Sequence, residues 1–324
     1  MHIQEAFALI KDDISRVDEE FRRNLSSDVP LIRKVGEHIL SSGGKRFRPL
    51  ILLLSARLCG YGGERHIPLA GVVEFLHTAT LLHDDVVDNA DLRRGAASAN
   101  AIWGNGVSVL VGDYLLSKAF FNAVDYGDLR ALKVLAHTTT VMAEGEVLQL
   151  LRHSDVETSE EDHLDVITRK TSVLFSASAR LAAIVAGVSS EKEEALARYG
   201  LEVGLAYQFT DDCLDYTSND EDLGKAVGND LREGKVTLPL IKAYRDSSSE
   251  ERAVIKRAIE ADELDSVLLR EVMGLINAHG GIEYTLDRAR SHMEEARKSL
   301  DIFEPDARRA ALLAVADYVI ERPS

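Results

Sequence analysis

Two segments repeat one arrangement of carboxylates: HDDVVD at 83–88 and TDDCLD at 210–215. On a helix, Asp84 and Asp88 stand four residues apart and share a face, as do Asp211 and Asp215. Like charges crowded on one face repel, so each cluster calls for a cation. Carboxylate oxygens suit hard cations, and Mg²⁺ is usually held by one or two carboxylates together with substrate phosphates. One such cluster alone reads as a solvated helix end. Two copies, each closing an apolar helix, point to Mg²⁺ bridging to a phosphorylated ligand. His77 lies on the face of Asp84 and Asp88, and Gln208 on that of Asp211, Asp212 and Asp215. Polar groups on faces that should pack inward imply a cavity. A lone histidine would read as a core residue; its alignment with Asp84 assigns His77 to the site.

Cations flank both clusters. GGKRFRP places Lys45 and Arg48 on a glycine-rich turn before a helix, where N–H groups, dipole and charge favour an anion. Arg93 and Arg94 follow the first cluster within a turn. Lys170 and Thr171 interrupt a helix in VITRKTSVLF, and Lys225 and Lys235 lie in the loop after the second cluster. Singly, each reads as a surface charge. Together they supply what a diphosphate needs, metal on one side and Lys or Arg on the other.

The chain that positions these groups has 324 residues, 45% hydrophobic and 28% charged, enough for a sizeable core. None of its 6 prolines lies between Pro68 and Pro239. Proline disrupts helix interiors, so this long middle favours helices. Helical spacing covers 3–25 (Ile3, Phe7, Ile10, Ile14, Val17, Phe21), then 31–40, then a helix with Pro49 as its first residue. Further helices are expected over about 69–90, 107–124 and 129–152. SSEKEE reads as a capping box, with Ser190 as cap and Glu193 three residues on, opening a helix to about Tyr216. Four or five amphipathic helices complete the chain. The only composition shift, 218–237, is too short for a domain linker, so 1–324 reads as one all-α domain.

A net charge of −16 argues against a nucleic-acid partner. Cys59 and Cys213 are too few for a disulfide framework and read as buried apolar residues. No signal peptide and no long uncharged apolar run is evident, so a cytoplasmic protein without a transmembrane segment is expected.

The segments GGKRFRP, LLHDDVVDNADLRRG, VGDYLLSKAF, EGEVLQL, RKT, YQFTDDCLDY and LGKAVGNDLREGKVTLP, in this order, resemble the trans-isoprenyl (polyprenyl) diphosphate synthase family. The likeness spans roughly 43–240 and is nearest to the bacterial long-chain members that make quinone side chains, the octaprenyl type especially. It implies a helical bundle of ten or more helices around a deep central cavity, usually a homodimer. It implies that Lys45, Arg48, His77 and Arg94 bind isopentenyl diphosphate. Arg93, Lys170, Thr171, Gln208, Lys225 and Lys235 would hold the allylic diphosphate. Asp84, Asp88 and Asp211 would ligate Mg²⁺, about three ions per site with substrate bound, with Asp85, Asp212 and Asp215 supporting. The resemblance further implies transient contact with a membrane, or with a membrane prenyltransferase, on product release.

Short-chain relatives place a bulky ring one turn before the first cluster. Here Ala79 and Thr80 stand there and leave the channel open, so the expected product is long, about eight to ten isoprene units. Phe120 and Phe121 are the candidate deeper floor, with small Ala123 beyond them. Rival readings fare worse. A terpene cyclase would carry Asn and Ser or Thr before Glu in its second motif, and a non-catalytic partner subunit would lack one cluster. A di-iron protein needs Glu-x-x-His pairs on core helices. Glu74 with His77 and Glu160 with His163 have that form, but the second lies in a polar run.

Overall fold

The computed structural model describes residues 1–321 except 42, 44, 45, 94, 127, 218–226, 262 and 263. In chain order the helices are α1 (Ile3–Ala8), α2 (Lys11–Leu25), α3 (Pro30–Ser41), α4 (Phe47–Leu58), α5 (His66–Val87), α6 (Ala99–Trp103), α7 (Asn105–Asp125) and α8 (Leu129–Leu151). Then come α9 (Glu160–Ile167), a π-helical turn (Thr168–Ser172), α10 (Val173–Ala186), α11 (Ser190–Thr217) and α12 (Asn229–Arg232). The chain closes with α13 (Leu238–Asp246), α14 (Ser249–Ile259), α15 (Ser266–Ala278), α16 (Gly281–Ser299), a 3₁₀ turn and α17 (Ala307–Glu321). Among the described residues the only strands are a two-residue antiparallel pair, Leu92 opposite Ala97 and Arg93 opposite Ala96. The fold is all-α.

The apolar sequences explain the layering. LILLL in α4 is buried on every side, Leu50 to Leu54 being at most 1% exposed. A helix apolar all round must be enclosed, and α4 lies between α5 and α10. Helix α5 packs lengthwise on α7, α10 on α11, and α11 on α16. Phe21 of α2 stacks on Phe75 of α5 at 4.3 Å; each ring so buried contributes on the order of 1.5–3 kcal/mol. The two carboxylate clusters sit at the ends of two long helices packed into this core, α5 and α11.

Two expectations need correction. The helix read over 3–25 is two, α1 and α2, because its ends pack on different partners, α1 on α17 and α2 on α5. The cap of α11 is Ser189, not Ser190: its Oγ accepts the Lys192 N–H, and Glu193 pairs with Arg130 and Arg180 instead of reaching back to the cap. Among the described helices α7 alone is long and apolar enough to cross a membrane by length and composition; it carries Asp113 and Lys118, and 39% of its most apolar stretch is buried inside this chain.

Candidate active site

The two clusters meet through their cations. Lys235, which follows α12, donates from Nζ to Asp88 Oδ2 at the end of α5 (2.9 Å) and to Glu233 (2.6 Å). Burial alone would lower the Lys235 pKa, but Glu233 and Asp88 more than offset it and raise it. On the other side, Lys170 of the π-turn lies 2.6 Å from Glu146 of α8 and 3.9 Å from Asp84. Burial raises the Asp84 carboxyl to about 6; Lys170 opposes this, and the like charges of Glu146 and Asp88 reinforce it. A cavity of about 160 Å³ lies between these elements. Asp88, Lys170, Thr171, Gln208, Asp212 and Lys235, all singled out in the sequence, line it.

Local geometry explains how they converge. A π-turn adds a residue to the helical repeat and re-aims its side chains, a device frequent at functional sites. Two glycines make room for it. A Cβ on Gly145 of α8 would lie 2.7 Å from the Lys170 backbone nitrogen, and one on Gly204 of α11 would lie 2.6 Å from Ser172 Cα. On α11, Asp215 accepts the N–H groups of Asn229 (3.2 Å) and Asp230 (3.1 Å), which ties α12 to the second cluster. Burial first and then Asp215 push the Asp230 carboxyl well above the usual carboxylate range, against the pull of Lys235. Asp211 is half-buried beside them.

Other assigned residues sit elsewhere. Asp85 is buried, and the Arg93 guanidinium closes on it (Nε to Oδ1, 2.8 Å), so neither faces the cavity. His77 is half-buried one helical repeat before Asp84. The Arg48 guanidinium covers the Phe175 ring at 4.5 Å. Lys45, Arg94 and Lys225 lie outside the described residues. Ala79 is buried, and Thr80 turns its hydroxyl to the His77 carbonyl (2.8 Å). Phe120 is half-buried and lines an open apolar groove of about 820 Å³ against α8, with Ala143, Val147 and Leu151. Phe121 contradicts its expected role as an internal floor. It is 60% exposed, with Lys118 over its ring, because adjacent residues on a helix point about 100° apart. Ala123 is buried in the core.

Three residues escaped sequence reading: Glu146, Asp230 and His163. Glu146 stands in EGEVLQL, and Asp230 in GNDLREGK, where the excess of carboxylates was a usable signal. His163 looked exposed in its polar run, yet it is 6% exposed and bonded to Asp212.

The carboxylate donors of Asp84, Asp88 and Asp211 are all oxygen, so they fit a hard cation. Among the described residues no three His, Cys, Asp or Glu groups form a metal cage of their own.

A sequence profile of the polyprenyl synthetase family matches residues 29–276. The octaprenyl diphosphate synthase of Escherichia coli (strain K12) is 43% identical over 99% of both chains. The all-trans-nonaprenyl-diphosphate synthase (geranyl-diphosphate specific) of Rhodobacter capsulatus is 40% identical over 98% of both. The crystal structure of a polyprenyl synthase from Caulobacter crescentus CB15, complexed with calcium and isoprenyl diphosphate, superposes with a TM-score of 0.96. It is 42% identical and covers 99% of this chain and 98% of that one.

Proposed function

The chain belongs to the polyprenyl synthetase family and is a Mg²⁺-dependent prenyltransferase; on that premise we propose that it extends an allylic diphosphate, farnesyl diphosphate by preference, to an all-trans product of about eight to ten isoprene units. The observation that carries this reading is Lys235, which comes from beside the second cluster and bonds Asp88 of the first, so both clusters face one cavity. The diphosphate head of the allylic substrate binds there, between the carboxylates and Lys170, Thr171, Gln208 and Lys235, and Lys225 is proposed as a further ligand from the sequence alone. Arg93 acts through Asp85. Isopentenyl diphosphate is bound by Arg48 and His77, with Lys45 and Arg94 proposed from the sequence alone.

Asp84, Asp88 and Asp211 would hold Mg²⁺, which, when bound, neutralises diphosphate charge and improves it as a leaving group. The lysines share that task as fixed cations. The allylic C–O bond breaks, the double bond of isopentenyl diphosphate forms the new C–C bond, and a proton is lost to the departing pyrophosphate. The apolar walls of α4, α5 and α10 keep water from the reacting carbon.

Ala79 and Thr80 put no ring in the path of the tail, which supports a long product. The pairing of an octaprenyl with a nonaprenyl synthase among the relatives points the same way, and a quinone side chain is the use such a tail suits. One hydrophobic cluster runs from Ala6 to Val319, which supports a single domain. The chain acts as a homodimer in the cytoplasm. Incubation with farnesyl and isopentenyl diphosphates plus Mg²⁺, then chromatography of the dephosphorylated products, tests the reading. Products of three or four units would overturn the length, and no elongation would overturn the activity.

A further inference from the structure

His163 of α9 has no part in the chemistry above, yet it reaches the same cavity from below. Its Nε2 lies 2.8 Å from Asp212 Oδ2, and Gln208 Nε2 lies 3.0 Å from Asp212 Oδ1. Asp212 is wholly buried. The Thr171 hydroxyl lies 2.9 Å from Gln208 Oε1. Chemistry sets the direction of this chain. A carboxylate only accepts, so the groups at both its oxygens must donate. His163 therefore carries its proton on Nε2, and Gln208 turns its amide nitrogen to Asp212. The Gln208 carbonyl is left for Thr171, whose hydroxyl must then donate to it. Thr171 thus meets the cavity with lone pairs alone.

We propose that His163 is a positioning residue for the second carboxylate cluster. By clamping Asp212 it holds Gln208, and through Gln208 the Thr171 hydroxyl, in one hydrogen-bonded arrangement at the wall of the cavity. The proposal rests on the cavity being the diphosphate site. Of the cluster's aspartates, Asp212 is then an anchor. The clamp ties α9 to α11 across the π-turn, so the turn's orientation depends on it.

The test uses the full-length protein and three variants: His163→Phe, His163→Gln, whose amide nitrogen can stand where Nε2 stood, and Asp212→Asn, which frees Gln208 to flip. Three quantities are measured for each: turnover with both KM values, calorimetric binding of inorganic diphosphate with Mg²⁺, and melting temperature. Positioning partners of this kind are expected to change activity about 10- to 100-fold. His163→Phe and Asp212→Asn should lose that much kcat and about tenfold in diphosphate affinity, with KM for isopentenyl diphosphate unchanged. His163→Gln should recover to within about threefold of wild type. The proposal fails if His163→Phe or Asp212→Asn keeps wild-type turnover and binding. It also fails if Phe and Gln variants are equally impaired and melt equally early, since that is a packing role only. Wild-type protein without any turnover would instead overturn the prenyltransferase reading, and calorimetry alone would then judge His163 by the same criteria.

Discussion

At the scale of single residues, Asp84 shows how a site can be less stable for being functional. Its carboxyl is raised to about 6 by burial, against Lys170 and with Glu146 and Asp88. The folded protein therefore binds this proton more tightly than the unfolded chain, whose aspartates titrate near 4. The penalty is absent below about pH 4, grows as pH rises, and is complete above about pH 6, at the order of 2–3 kcal/mol. Without Mg²⁺, Asp84→Asn should therefore stabilise the protein at pH 8 and leave it unchanged at pH 4. Urea unfolding at the two pH values checks this, and an equal effect at both would contradict it. The same substitution should lower kcat by at least a hundredfold, as a cation ligand is lost. Asp211→Ala should lose a similar factor with the helical circular dichroism intact. Protons and Mg²⁺ compete for these oxygens, so Mg²⁺ affinity measured by calorimetry should fall as pH drops below about 6.

At the scale of elements, the π-turn is the part the site depends on most. Its extra residue aims Lys170 at Asp84 and Glu146 while Thr171 reaches Gln208. Gly145 and Gly204 press on it from two sides, and at both the obstacle to a Cβ includes backbone. Gly145→Ala should therefore displace the turn instead of merely filling space. The expectation is a loss of about 1–3 kcal/mol in stability, typical of overpacking, together with at least a tenfold loss in kcat. Thermal melting and steady-state kinetics measure the two. A variant that melts earlier but turns over normally would show that the turn does not position Lys170.

At the scale of the whole molecule, two surfaces await a partner. Leu110, Phe121, Val124, Leu129, Val147, Leu150 and Leu151 on α7 and α8 are each more than half exposed. Apolar patches of this kind mark interaction sites, and a second copy of the chain covers them in the proposed homodimer. Light scattering should give twice 35.6 kDa, and Phe121→Glu with Leu129→Glu should give the monomer. A monomeric wild type at micromolar concentration would end the proposal. Product length belongs to this scale too, since the tail must pass several helices. Ala79→Tyr should shorten the product to about three or four units by blocking the path beside α5, and Phe120→Ala should lengthen it. Full-length product from the Ala79→Tyr enzyme would show that the tail runs elsewhere.

Much of this was legible in the sequence because the signals are local. The proline-free middle and the 3.6-residue spacing determined an all-α protein. The doubled D-D-x-x-D spacing pointed to a hard-cation site, and the lysines and arginines beside it to a diphosphate. Contacts between distant segments could not be read this way. That Arg93 closes on Asp85, that Lys235 reaches Asp88 across 147 positions, and that Phe121 faces outward while Phe120 faces in depend on how whole helices are rotated and packed. His163 is the sharpest case. Its neighbours along the chain are charged and exposed, which made it look solvated. Only the packing of α9 on α11 buries it against Asp212, because burial is a property of what lies across the interface and not of what lies next in the chain.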